Sequence, residues 1–138
     1  MLSQLEFCLE DRLCIWRVSG TATVKEICDG YAERFNHPEW TPVLESLTVI
    51  NKLALGGFTP QAAGEIMQFI RDCDLKHKRA AKRSALVCSD ELSRALLAYW
   101  EHRAKNELER SERAFATEAE ARAWLVGARE ADEKSACA

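Results

Sequence analysis

Six cysteines, three histidines and a scatter of hydroxyl side chains are the groups in this chain with ligating or reactive chemistry. The cysteines stand at positions 8, 14, 28, 73, 88 and 137. None forms the C-x-x-C pair of a zinc site or a redox dithiol. Five of them fall in predicted strands or helices, several on apolar faces, where a free cysteine acts as a small hydrophobe. Cys88 stands where a strand gives way to a helix, a place that lowers a thiol pKa, but Asp90 and Glu91 beside it oppose a thiolate. His37, His77 and His102 lie on separate predicted elements. Glu101 precedes His102, yet helix neighbours at i and i+1 point apart. No two titratable groups can be placed together as acid and base, so the expectation is a protein without catalysis, metal or cofactor.

Thr59 precedes Pro60 at a predicted helix start. A phosphate on Thr59 would meet the N–H groups of the first turn, but the favoured reading is a plain N-cap worth about 1 kcal/mol, since such caps are common. The run Lys76-His77-Lys78-Arg79-Ala80-Ala81-Lys82-Arg83 could hold phosphate or an acidic partner. It lacks the interleaved aromatics that stack on bases, and cations at a helix C-terminus complement its dipole. A net charge of −3 gives no general affinity for nucleic acid. No apolar run approaches the roughly 20 residues of a membrane helix. Met1 to Glu6 show no basic stretch followed by an apolar one. The expectation is a cytoplasmic protein with no membrane insertion and no nucleic-acid partner. Trp40, in a loop between Pro38 and Pro42, is a candidate contact residue for a protein partner or a second copy of the chain, the less favoured of its two readings.

The elements that must position these residues follow from periodicity. Leu5, Phe7 and Leu9 alternate with polar residues over Gln4 to Glu10, and Leu13 to Ser19 follow, with Asp11-Arg12 as a two-residue turn between them. Ile15 and Trp16 are opposite in phase, so one of them is expected on a less covered face. Thr23 and Glu26 form a capping box, and Val24, Ile27, Cys28, Tyr31 and Phe35 trace one helical face that ends at Asn36-His37-Pro38. Ser46 to Leu55 contain the β-branched run Leu47-Thr48-Val49-Ile50, typical of a strand covered on both sides. After Gly56-Gly57-Phe58, Thr59-Pro60 open a helix with Ala63, Ile66, Met67 and Ile70 inward. Gly64 weakens that helix by roughly 1 kcal/mol and is expected to let it approach the sheet closely.

Ser84 to Cys88 form the fourth strand. Ser89-Asp90 begin the third helix, with Leu92, Ala95, Leu96, Tyr99 and Trp100 as its stripe. Glu109 to Ala116 form the fifth strand. Thr117 and Glu120 make another capping box, opening a helix to Ala128 with Ala121, Trp124 and Leu125 inward. Residues 1–128 thus make one domain of order β-β-α-β-α-β-α-β-α, with 129–138 as a flexible tail. A hairpin followed by alternating units implies an α/β fold: a mixed, mostly parallel five-stranded sheet packed with four helices joined by right-handed crossovers.

Three stretches carry a family likeness: Arg113-x-Phe115-x-Thr117-x-x-x-Ala121-x-x-Trp124-Leu125, Arg83 to Leu92, and the third strand followed by Thr59-Pro60. With the element order, they resemble the SpoIIAA-like fold of the STAS superfamily, sporulation anti-sigma-factor antagonists and their relatives. The resemblance is greatest to small bacterial STAS-like proteins of largely unassigned function. Such relatives carry an aspartate at the end of strand three, where this chain has Asn51-Lys52. Sporulation-type antagonists carry an Asp-Ser dipeptide at the next helix, phosphorylated by a partner kinase. This chain has none, so the resemblance does not bring the phosphoswitch with it.

The resemblance implies a non-enzymatic regulatory or protein-interaction domain. Its contact surface would lie near the second helix and the Gly56-Gly57 loop, for an unidentified protein partner or as a homodimer. The alternative is a small-molecule or lipid-binding module, since the fold also resembles that of lipid-transfer CRAL-TRIO domains. Open α/β sheets bind ligands beyond the carboxyl ends of their strands. On either account the candidate binding residues are Asn51, Gly56, Gly57, Phe58, Thr59 and Ser89.

Overall fold

The computed structural model describes residues 1–55 and 59–137. β1 (Leu2–Cys8) pairs antiparallel with β2 (Leu13–Ala22), from Leu2↔Ser19 to Cys8↔Leu13. The connection spans Leu9 to Arg12 and is closed by the Arg12 N–H donating to the Leu9 carbonyl at 3.2 Å, with Arg12 at φ +55°. The turn is thus longer than Asp11-Arg12 alone, and Leu9, expected on the buried face of the strand, is exposed in it.

Thr23 caps α1 (Val24–Ala32) through the expected capping box with Glu26. Helical geometry stops at Ala32, earlier than the proline requires, and a 3₁₀ turn over Glu33–Asn36 leads on to Pro38. β3 (Glu45–Leu55), α2 (Pro60–Lys76), β4 (Arg83–Cys88), α3 (Glu91–Glu107), β5 (Ser111–Phe115) and α4 (Glu118–Cys137) complete the chain. Thr59 and Asp90 cap α2 and α3, accepting from the N–H groups of Ala62 and Ser93. Thr117 accepts from the N–H of Glu120 at 3.2 Å ahead of α4.

Among the described residues these elements form an α/β fold with one five-stranded sheet in the sequential order β1-β2-β3-β4-β5. β1 is antiparallel to β2, and β2 to β5 are parallel. Crossovers of one hand between successive neighbours put their helices on one face of a sheet. Accordingly α1, α2 and α3 pack over one face, around Trp16, Val18, Ile66 and Met67. α4 covers the other, with Ala121 and Leu125 on Leu13, Ile15, Leu47, Ala85 and Val87. Because both faces are covered, Ile15 and Trp16 are both buried, contrary to the expectation that one would be less covered.

Within the expected loose tail, α4 corrects the reading from Arg129 to Cys137. No proline or buried demand stops the helix near Ala128, and it continues to Cys137. Arg129 donates to Glu45 at 3.0 Å, and Asp132 accepts from Arg83 at 2.7 Å, so the last turns are tied to the starts of β3 and β4. Gly64 serves helix–helix rather than helix–sheet approach: the Arg103 guanidinium of α3 lies over it and donates to the Pro60 carbonyl. Trp40 is half-buried rather than free. It packs edge-on to Phe35 and His77, with centroids 4.9 and 6.1 Å away.

Candidate functional site

Parallel register sets the floor of the site. Cys14, Ser46, Ser84 and Glu112 are partners across β2, β3, β4 and β5, and form one row on the face under α1 to α3. Each is buried. The next row is Trp16, Thr48, Leu86 and Ala114, and beyond it come Val18, Ile50 and Cys88. The face therefore runs from polar at the amino ends of the parallel strands to apolar at their carboxyl ends.

Above this gradient lies a cavity of about 110 Å³. For scale, an apolar cavity of roughly 150 Å³ holds a benzene molecule. Val18, Ile27, Leu53, Ile66, Leu97 and Trp100 supply much of its wall, and Arg34, Arg110, Ser46, Ser84, Thr48 and Glu112 its polar part. The half-buried lining residues Ile50, Leu53, Leu96 and Trp100 lie toward the carboxyl end of β3 and along α3, which places the mouth on that side. A bulge shapes the mouth. Ser19 pairs with Asn51 and Gly20 with Leu53, leaving Lys52 unpaired at φ +49°. Residues three apart on a regular strand face opposite ways; the extra residue resets the phase, so Ile50 and Leu53 both line the cavity.

The polar end is a network of buried charge. Tyr31 donates to Asp74 Oδ1 at 2.6 Å and accepts from Arg110 Nη1 at 3.1 Å. Arg110 pairs with Glu112 Oε1 at 2.8 Å and with Asp74 at 3.1 Å. Arg79 reaches Asp74 at 3.4 Å and donates to Ser46 Oγ at 3.1 Å. Burial opposes the Arg110 charge, but Glu112, then Tyr31 and Asp74, outweigh it and hold its pKa above the ordinary value. Burial pushes the Tyr31 phenol up to about 12 against the pull of Arg110 and Arg34.

Arg34 differs from these. It is 2 % exposed. Its Nε donates to the Tyr31 carbonyl at 3.0 Å and its Nη1 to Ser46 Oγ at 2.9 Å. Its guanidinium carbon lies 4.1 Å from the Tyr31 ring centroid and 5.6 Å from that of Trp16. Among the described residues it has no carboxylate partner, and Nη2 has no acceptor. Among the described residues Glu112 Oε2 is the other buried side-chain polar atom without a partner.

A wider groove of about 610 Å³ opens on the far side of Arg110, among Arg71, Asp74, Arg79, Lys82 and Glu107. Its arginines are engaged: Arg71 on the Glu107 carbonyl, Arg79 and Arg110 on Asp74. The basic run is accordingly not a free patch at Arg79 and Arg83, since Arg83 pairs with Glu45 at 2.7 Å.

Of the residues singled out in the sequence, Asn51 is exposed at the bulge, Thr59 is the exposed cap of α2, and Ser89 is exposed between β4 and α3. Asn51 and Ser89 share the carboxyl end of the sheet, but none of these three lines the cavity. Gly56, Gly57 and Phe58 lie outside the described residues. Cys88 is buried, its thiol pushed up by burial and donating to Asp90 at 3.2 Å. His37 stacks on Phe7 and His77 on Phe35. No group of three His, Cys, Asp or Glu among the described residues could hold a metal ion, and no described helix is long and apolar enough to cross a membrane. Of the cavity residues that the spacing did not reveal, Arg34, Ser46 and Glu112, Arg34 alone had a local signal. Arg34 falls seven residues after Ile27 on an apolar helical stripe, whereas Ser46 follows Glu45 and Glu112 stands between Ser111 and Arg113, so alternation marks neither.

No protein-family model matches the chain, and no curated protein matches it. Among solved structures, it is similar to an uncharacterized protein of the DUF3478 family with a SpoIIAA-like fold from Shewanella loihica PV-4. The two are 20% identical, with a TM-score of 0.56 over 90% of this chain and 92% of that one. At that identity the likeness speaks to architecture alone, and the chain has the SpoIIAA-like fold.

Proposed function

We propose that this protein is a binding module for a small, largely apolar molecule, held between the sheet and α1 to α3. The cavity of about 110 Å³ carries this reading. Protein interiors pack to the density of organic crystals, with few voids larger than a water. A space beneath three helices that is apolar along its walls and polar at one end is lined as ligand sites are, and its size suits only a small molecule. Of the two accounts that the fold resemblance offers, the cavity favours the small-molecule module over an interaction surface near the second helix and the Gly56-Gly57 loop. Binding without catalysis suits the site, whose carboxylates, Asp74 and Glu112, are held in ion pairs with Arg79 and Arg110.

Trp16 and Trp100 both line the cavity and report on it. Titration with 1-hexanol or toluene is expected to change tryptophan emission saturably, and native mass spectrometry of gently purified protein to show an adduct lost on denaturation. Emission unaffected up to the solubility limit of both probes, with only the bare chain mass, would remove the reading.

A further inference from the structure

Resting on that reading, we propose that the cavity takes a small organic monoanion, a carboxylate with an apolar tail, bound head-first with its carboxylate on Arg34. The charged residues lining the cavity are Arg34, Arg110 and Glu112. Glu112 is committed to Arg110 through Oε1, at 2.8 and 3.0 Å from two guanidinium nitrogens. Arg34 is left as a cation with no counter-ion among the described residues and with Nη2 unused. An arginine this deeply buried costs free energy unless its charge is paired. Its ring contacts with Tyr31 and Trp16 offset part of that cost, and a single negative charge in the cavity offsets the rest.

The head group follows from charge and size. One cation is uncompensated, so one negative charge balances the site. A phosphate ester would bring nearly two, against the Glu112 carboxylate in the same cavity. A neutral amide or alcohol would accept from Nη2 but leave the charge uncompensated. A carboxylate gives the short, charge-assisted hydrogen bonds that guanidinium groups favour. The tail follows from the gradient along the sheet: from the Arg34 end the walls pass through Val18 and Ile66 to Leu53 and Trp100 at the mouth. This is a free acid of a few carbons rather than a long lipid, given the volume.

Calorimetric titration at pH 7 with hexanoate, 1-hexanol, hexylamine and hexyl phosphate tests the assignment. Hexanoate is expected to bind about tenfold or more tighter than hexanol, and hexylamine not at all. In Arg34→Met, which keeps the length and apolar stem, that advantage is expected to vanish while hexanol binding persists. The wild-type series stands even if the variant fails to fold. Hexanol binding as well as hexanoate would overturn the carboxylate and leave the cavity reading intact. Hexyl phosphate binding tighter than hexanoate would overturn the monoanion. Binding by none of the four would overturn this proposal and the cavity reading together.

Discussion

The guanidinium of Arg34 lies 4.1 Å above the ring of Tyr31, whose hydroxyl donates to Asp74 at 2.6 Å. One aromatic ring thus carries an unpaired cation on its face and a paired anion at its hydroxyl. Tyr31 thus stands where the cavity meets the ion-pair network, whose Arg110 and Glu112 also line the cavity.

That placement has an alkaline signature. The Tyr31 phenol ionises at about 12 in the folded protein, against 10.0 ordinarily, chiefly because it is buried. The folded state therefore keeps this proton after the unfolded chain has lost it. The contribution is complete below pH 10 and is lost as pH rises through 12, by roughly 3 kcal/mol in all. Urea melts of wild type and Tyr31→Phe between pH 9 and 12 should show wild type losing stability relative to the variant across that window. A constant difference would show the phenol to be solvated.

Ser46 Oγ accepts from two guanidinium groups, Arg34 at 2.9 Å and Arg79 at 3.1 Å. Ser46→Ala leaves both donors buried without it and should cost about 1–3 kcal/mol. In an Arg34→Met background the same change should cost less, because one of the two donors is gone. A double-mutant cycle by chemical denaturation measures the coupling, and additive losses would contradict the shared contact.

Gly30 of α1 lies against Trp16. A Cβ there would stand 2.9 Å from Trp16 Cζ2. The indole is held by its Nε1–H donating to Ser3 Oγ at 2.7 Å and is 6 % exposed, so it has little room to yield. Gly30→Ala should therefore destabilise by about 1–3 kcal/mol through overpacking, although alanine favours a helix by about 1 kcal/mol. Denaturation curves check the sign, and a net gain would mean that the helix shifts freely on the sheet.

Arg129 joins the end of α4 to the body. It reaches Glu45, 5 % exposed, and the Asp11 carbonyl at 2.5 Å. Arg129→Met should lower stability by about 1–3 kcal/mol, since a buried carboxylate loses one of its two cations and a carbonyl its donor. Truncation after Ala128 should do at least as much. Thermal melts unchanged by either would restore a loose tail.

Local chemistry announces itself in a sequence. The caps at Thr23, Thr59 and Thr117, the β-branched run in β3 and the stripe of α4 each depend on residues a few positions apart, so element order was legible. The end of α4 was not, because its last turns are held by Glu45 and Arg83, far away in the chain. The same limit applied to Trp40, whose partners Phe35 and His77 arrive from two different elements.

The cavity belonged wholly to the tertiary structure. Ser46 and Glu112 look like ordinary strand residues, and Arg34 like the charged edge of a helix, until the parallel register lines up Cys14, Ser46, Ser84 and Glu112 beneath α1 to α3. The sequence determined which segments are helix and strand, because those choices are settled by neighbours along the chain. Strand order, the space between the layers and the unpaired charge of Arg34 were decided only on folding, because the cost of burying a charge depends on which distant groups come to surround it.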